Sequence, residues 1–192
     1  MTTCRDVIKS AYRRSGVMAA GVNLNASQAN IGMERLIGLY QTLIEGGMFG
    51  RVCDKYIDTV TYTAEEGQRV YKSVASTVTI PPTVVDTGTG LTRQPLDLAF
   101  IIIVDPVSGE PEYWLFDRMR GQWAAIHDLT LTAQAPLTPR FDEQIKDLLA
   151  EALLEETGQP TPGELLRRVG RARMTLATRR VGERKTGTGI YS

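Results

Sequence analysis

Residues 140–157 read RFDEQIKDLLAEALLEET, and residues 161–192 read TPGELLRRVGRARMTLATRRVGERKTGTGIYS. The first stretch carries six acids against two bases, Arg140 and Lys146, a net of −4. Residues 159–192 carry eight bases against two acids, Glu164 and Glu183, a net of +6. Both stretches have helical periodicity. Phe141, Ile145, Leu148, Leu149, Ala152 and Leu153 fall on one face. Thr138 is the expected cap and Pro139 the first helical residue, where a missing N–H costs nothing. Gly158 is the stop. Thr161-Pro162-Gly163-Glu164 then reads as a capping box. The helix after it buries Leu165, Val169, Ala172 and Leu176, with arginines around the rest. After Val181 the pattern dissolves into a segment that cannot bury a core and is expected to stay disordered until bound. Such a charge-segregated pair with a loose basic arm suits a subunit that grips a neighbour.

The rest of the chain frames this pair. Cys4, Val7, Ile8, Ala11 and Tyr12 make one face of a helix over 3–15, with Thr3 as cap and Gly16 as stop. A second helix runs from about Ala26 to Glu45, capped by Asn25 and ended by Gly46 and Gly47. Ala29, Met33, Leu36, Ile37, Tyr40, Leu43 and Ile44 form its buried stripe. Gly32 and Gly38 lie inside it, each costing about 1 kcal/mol against Ala, and are expected to permit close helix packing. The period then changes from 3.6 to 2. Residues 56–128 carry short β-prone runs, the strongest being AFIIIV, with EYWLFD and QWAAIHD joined by RMRG as a hairpin. The predicted fold is α+β: a bundle of about four helices interrupted by a mostly antiparallel β insertion, with an extended arm. Its parts are 1–55, 56–128, 129–180 and 181–192.

Composition bounds the chemistry. The chain has 192 residues, 22 bases, 22 acids and 42% hydrophobic residues. Zero net charge argues against a protein whose main work is neutralising phosphates. Two cysteines, Cys4 and Cys53, outside any CxxC, read as free thiols in a reducing compartment. The apolar run Leu98–Val104 is too short to span a bilayer, and no signal peptide is expected before RDVIKSAYRR.

No catalytic constellation stands out, and no metal or cofactor is expected. The one histidine, His127, excludes His₂ and His₃ metal sites, and the adjacent Asp128 is poorly placed to orient it. Cys53 with His127 is the one conceivable thiol–imidazole pair, but RVCDKY reads as a plain structural setting. Glu65-Glu66 and Glu155-Glu156 read as solvated charge. The glycine strings at 87–90 and 187–189 lack the GK[ST] continuation of a phosphate loop. Tyr113, Trp114, Phe116 and Trp123 suit a hairpin packed on a β core; their other use is stacking of single-stranded nucleic acid. The fourth-helix arginines read as a solvated face with some pairing to acids on the third. Arg179, Arg180, Arg184 and Lys185 lie past the last apolar position and are assigned to an external acidic partner.

Two stretches resemble a known family, the head-to-tail adaptor (connector) proteins of tailed bacteriophages and gene transfer agents. They are DVIKSAYRRSGVMAAGVNLNASQANIGMERLIGLYQTLIEGGMFG and APLTPRFDEQIKDLLAEALLEETGQPTPGELLRRVGRARMTL, together roughly half the chain. The resemblance implies a non-enzymatic subunit of the virion neck, made in the host cytoplasm. It implies a homo-oligomeric ring of about twelve copies docked under the portal protein and joined to the next neck or tail protein. DNA would pass through the channel without sequence-specific binding. The arm reaching the portal would carry Arg179, Arg180, Arg184, Lys185, Ile190 and Tyr191. Asp147 and Glu151, set against Arg168 and Arg171, are expected to steer neighbouring copies into register. The insertion is expected to carry inter-subunit or tail-side contacts. The competing reading is a nucleic-acid-binding protein that uses the basic fourth helix and the aromatic hairpin.

Overall fold

The structure is a computed structural model. It describes residues 2–49, 95, 98–104, 109–117, 119–136 and 139–182, plus five two-residue strands between 56 and 93. Only the backbone is described for those five strands, for residue 139 and for residues 178–182.

Helix α1 spans Cys4–Arg14 and α2 spans Ala26–Glu45. Both start where local chemistry dictates. The Thr3 hydroxyl accepts from the Asp6 N–H at 3.2 Å, and the Asp6 carboxylate accepts from the Thr3 N–H at 3.1 Å. The Thr3 hydroxyl also donates to the Asp6 carboxylate at 2.7 Å, and this bond, with that from the Thr3 N–H, holds the Asp6 carboxyl below its usual range. Asn25 and Gln28 repeat this reciprocal cap on α2, at 2.8 and 3.2 Å. Such caps satisfy N–H groups that the helix itself cannot. Thr3→Ala is expected to cost about 1 kcal/mol, read as a lower urea midpoint at unchanged slope.

The insertion begins with strands β1 (Tyr56–Ile57), β2 (Ala64–Glu65), β3 (Lys72–Ser73), β4 (Val84–Val85) and β5 (Thr92–Arg93). β1 pairs with β3 and β2 with β4, both in parallel; β4 pairs with β5 antiparallel. Then come β6 (Phe100–Val104), β7 (Pro111–Asp117) and β8 (Gln122–Ala125), an antiparallel meander in sequence order. Its registers include Ile102 opposite Tyr113 and Phe116 opposite Trp123. Residues 119–121 of the RMRG segment turn the chain between β7 and β8. Buried Asp117 accepts from the N–H groups of Met119 and Arg120, at 2.9 and 3.2 Å. Gly121 supplies the left-handed residue, φ 66°, which only glycine adopts freely. Leu98 also sits left-handed, at φ 64°, while 4% exposed. That geometry costs about 1–2 kcal/mol in a residue with a Cβ, and the buried side chain holds it.

A 3₁₀ turn at Pro139–Phe141 precedes α3 (Asp142–Glu156), and α4 spans Gly163–Gly182. Two expectations shift here. Pro139 opens the 3₁₀ turn rather than the α-helix, and Phe141 stands at the α3 cap position without a side-chain bond. Thr138, the expected cap, lies outside the described residues. At α4, Pro162 and not Thr161 precedes the first helical residue, and its carbonyl accepts from Leu166 N–H at 2.9 Å.

One core joins the helices to the sheet. α3 lies in its centre and touches α1, α2 and α4. Leu148, Leu149 and Leu153 of α3 pack with Ile8 of α1, with Leu36 and Tyr40 of α2, and with Val169 and Leu176 of α4. Phe100, Ile102, Tyr113 and Leu115 bring one face of the meander into this core. Ile101, Ile103 and Phe116, on the opposite face, are buried as well, and β3 lies against β6. The meander is therefore covered on both faces. The N-terminus closes the assembly: Thr3 bridges Gln134 antiparallel, and the Cys4 and Arg5 N–H groups donate to the carbonyls of Ala133 and Leu131.

Candidate functional site

Among the described residues, a dense cluster of charge lies along α3, where acids meet arginines from α1 and α4. Asp147 is 8% exposed. Its Oδ1 accepts from Arg14 Nη1 at 2.6 Å and from Arg168 Nη2, and its Oδ2 accepts from Arg168 Nε at 3.3 Å. The Asp147 carboxylate in turn raises the Arg168 guanidinium pKa. One turn on, buried Glu151 accepts from Arg173 at 2.8 Å. Burial pushes the Glu151 carboxyl up, and Arg173 opposes that shift. One turn before, Glu143 pairs with Lys146 at 2.9 Å and with Arg14. These two cations hold its carboxyl down at about 2. Arg35 of α2 pairs with Glu156 at the far end of α3.

The placement of the predicted contact residues is specific. Asp147, Glu151 and Arg168 all have partners within the chain. Arg171 is exposed beside a polar cleft that Asp147, Arg168 and Thr175 also line. Arg14 is the member that sequence reasoning missed. Its last-turn position on α1 is a local signal for a helix C-terminus, but nothing local points across 133 positions to Asp147. Of the arm residues, Arg179 and Arg180 lie on α4 with their side chains undescribed. Arg184, Lys185, Ile190 and Tyr191 lie outside the described residues, as does Cys53.

Glu143 allows a sign to be fixed. Its folded pKa lies below its ordinary value, so it adds stability above the ordinary carboxylate range and loses it as pH falls toward about 2. The side chain is 62% exposed, which keeps the effect under about 1 kcal/mol. Glu151 has the opposite sign, because its raised pKa relieves a burial cost on acidification. Glu143→Gln is therefore expected to flatten the acid limb of a melting-temperature profile while leaving the neutral plateau nearly unchanged.

Burial pushes the Cys4 thiol up to about 11, which makes it a poor nucleophile. His127 is exposed and meets Trp114 edge-on at 6.1 Å, with Asp128 Oδ2 at 3.6 Å. Tyr113 and Phe116 are buried, and Phe116 meets Trp123 edge-on at 5.1 Å. Burial and the bond to Glu45 push the Tyr113 hydroxyl up to about 12. Among the described residues no three His, Cys, Asp or Glu side chains gather as a metal site. Among them no helix is long and apolar enough to cross a membrane.

The remaining notable surface is on α4. This helix buries Leu165, Val169, Ala172 and Leu176 along α3 and turns Leu166, Arg167, Arg171 and Met174 outward. Leu166 is 55% and Met174 66% exposed. No protein-family model and no curated protein matches this chain.

Proposed function

We propose that this chain is a structural head-to-tail adaptor of a phage-like particle. It forms a ring under the portal, extends the DNA channel and connects to the next neck or tail component. Two stretches covering the helical frame resemble that family. The observation that carries the reading furthest is α4. It is anchored along one side and displays apolar and cationic residues on the other, and it leads directly into the basic segment that ends the chain. A helix with an unburied apolar side fits a subunit completed by neighbours. The ion pairs along α3 supply the rigid frame on which that helix is displayed, and no step of chemistry is assigned to the chain.

In this reading residues 181–192 form the portal-directed arm, with Arg179 and Arg180 at its root and Arg184, Lys185, Ile190 and Tyr191 along it. Its sequence cannot bury a core, and a segment that orders on binding trades affinity for reach. The β insertion carries inter-subunit or tail-side contacts. Co-sedimentation with portal rings from the same genome tests the arm. The full chain is expected to sediment with the rings, and a version ending at Gly182 is expected to stay behind. Duplex DNA is the control. Tight binding that falls steeply with salt, with no affinity for the portal, would replace this reading by a nucleic-acid-binding one.

A further inference from the structure

Between α2 and α4, above α3, lies a trough of about 460 Å³. Leu148 and Ala152 of α3 form its floor, and Gly38 and Leu39 of α2 form one wall. Glu34, Glu155 and Arg35, the last paired with Glu156, stand at its rim, and the Arg173–Glu151 pair bounds the α4 side. Its volume is in the range of small-ligand clefts, about 300–1,000 Å³, but it is flanked by helices and its rim is charged. A Cβ built on Gly38 would meet nothing within 4 Å, so the wall is open at that point.

We propose, resting on the ring-forming reading above, that this trough receives the outer face of α4 from a second copy of the chain. Leu166, Gly170 and Met174 are spaced i, i+4, i+8 and share one side of α4. Leu166 and Met174 are largely exposed, and a Cβ on Gly170 would meet nothing within 4 Å. This apolar ridge is flanked by Arg167 and Arg171. The receiving trough has an apolar floor, and its rim is net acidic, because Arg35 and Arg173 are each paired with a glutamate and Glu34 and Glu155 add to them. Ridge and trough therefore match in polarity and are opposite in charge, which steers encounter and sets register. They lie on different parts of one chain, so the contact is head-to-tail. Repetition of such a contact closes into a ring when the rotation permits.

The test uses the full chain with Met174→Glu, which spoils the ridge, and Gly38→Trp, which fills the trough. A Cβ at Gly38 meets nothing within 4 Å and Met174 is 66% exposed, so both variants are expected to keep the wild-type circular dichroism. In sedimentation velocity over a concentration series, wild type is expected to assemble and each variant alone to remain monomeric. An equimolar mixture keeps one intact contact, the Gly38→Trp ridge in the Met174→Glu trough. It is expected to form heterodimers and nothing larger. Should either variant fail to fold, Arg167→Glu with Arg171→Glu replaces the ridge variant and Glu34→Arg with Glu155→Arg the trough variant, with the same expected outcome. A monomeric wild type, a variant that assembles like wild type, or a mixture that stays monomeric would overturn the contact. Assembly with no affinity for portal rings would instead overturn the adaptor reading and leave this contact standing. Portal decoration unaffected by either variant would do the reverse.

Discussion

Asp147→Ala is expected to destabilise the fold by about 3 kcal/mol, the lower end of the range for breaking a buried ion pair. The cost comes from what the substitution leaves behind. The Asp147 side chain is 11% exposed and takes hydrogen bonds from Arg14, 17% exposed, and Arg168, 32% exposed. Truncation leaves two desolvated guanidinium groups without their common acceptor. Arg14 keeps Glu143, and this is why the low end of the range applies. Arg168→Ala is expected to cost less, because Asp147 then keeps Arg14. The double variant should cost less than the sum, the mark of two groups acting as a unit. Urea denaturation of the four chains measures all of this. A loss below about 1 kcal/mol for Asp147→Ala would show the cluster to be a solvated, weakly coupled set of surface pairs.

The second large effect comes from a pair of glycines in α2 with opposite expected signs. A Cβ at Gly32 would lie 2.3 Å from Cγ2 of Ile8. Ile8 is fully buried, and its β-branched side chain is stiff at χ1. Gly32→Ala is therefore expected to cost about 2 kcal/mol through overpacking where α1 crosses α2. A Cβ at Gly38 would meet nothing, so Gly38→Ala is expected to gain up to about 1 kcal/mol of helix propensity. Adding Ile8→Ala to Gly32→Ala should remove the clash and make the pair less than additive. Equal stability changes at the two glycines would contradict this packing of α1 on α2.

These two glycines also show how far the sequence was legible. Both sat inside a helical pattern and both were expected to permit close packing. Gly32 does, against Ile8, whereas Gly38 opens onto the trough. Helix α2 runs from Ala26 to Glu45 with Asn25 as its cap, as its local chemistry indicated. The RMRG turn and the strand at Phe100–Val104 likewise follow from nearby residues. What the sequence left hidden is long-range. The parallel pairings β1–β3 and β2–β4 join strands apart in sequence, and the Thr3–Gln134 bridge joins the two ends of the frame. The acids of α3 were expected to meet arginines on α4, and Arg168 and Arg173 do so. Asp147 and Glu151 were also assigned to contacts between copies. In the fold their carboxylates are engaged inside the chain, and in the contact proposed above the neighbour-facing charge falls instead to Arg167 and Arg171 on one side and to Glu34 and Glu155 on the other. A charge count registers the imbalance between two helices, but it does not say which carboxylate is buried.

Electron microscopy of this protein mixed with the portal ring from the same genome tests the adaptor reading most directly. The full-length chain is predicted to add a symmetric collar to one end of the portal, and the version ending at Gly182 to leave the portal bare. A bare portal with both versions, under conditions where each is folded, would contradict the adaptor reading.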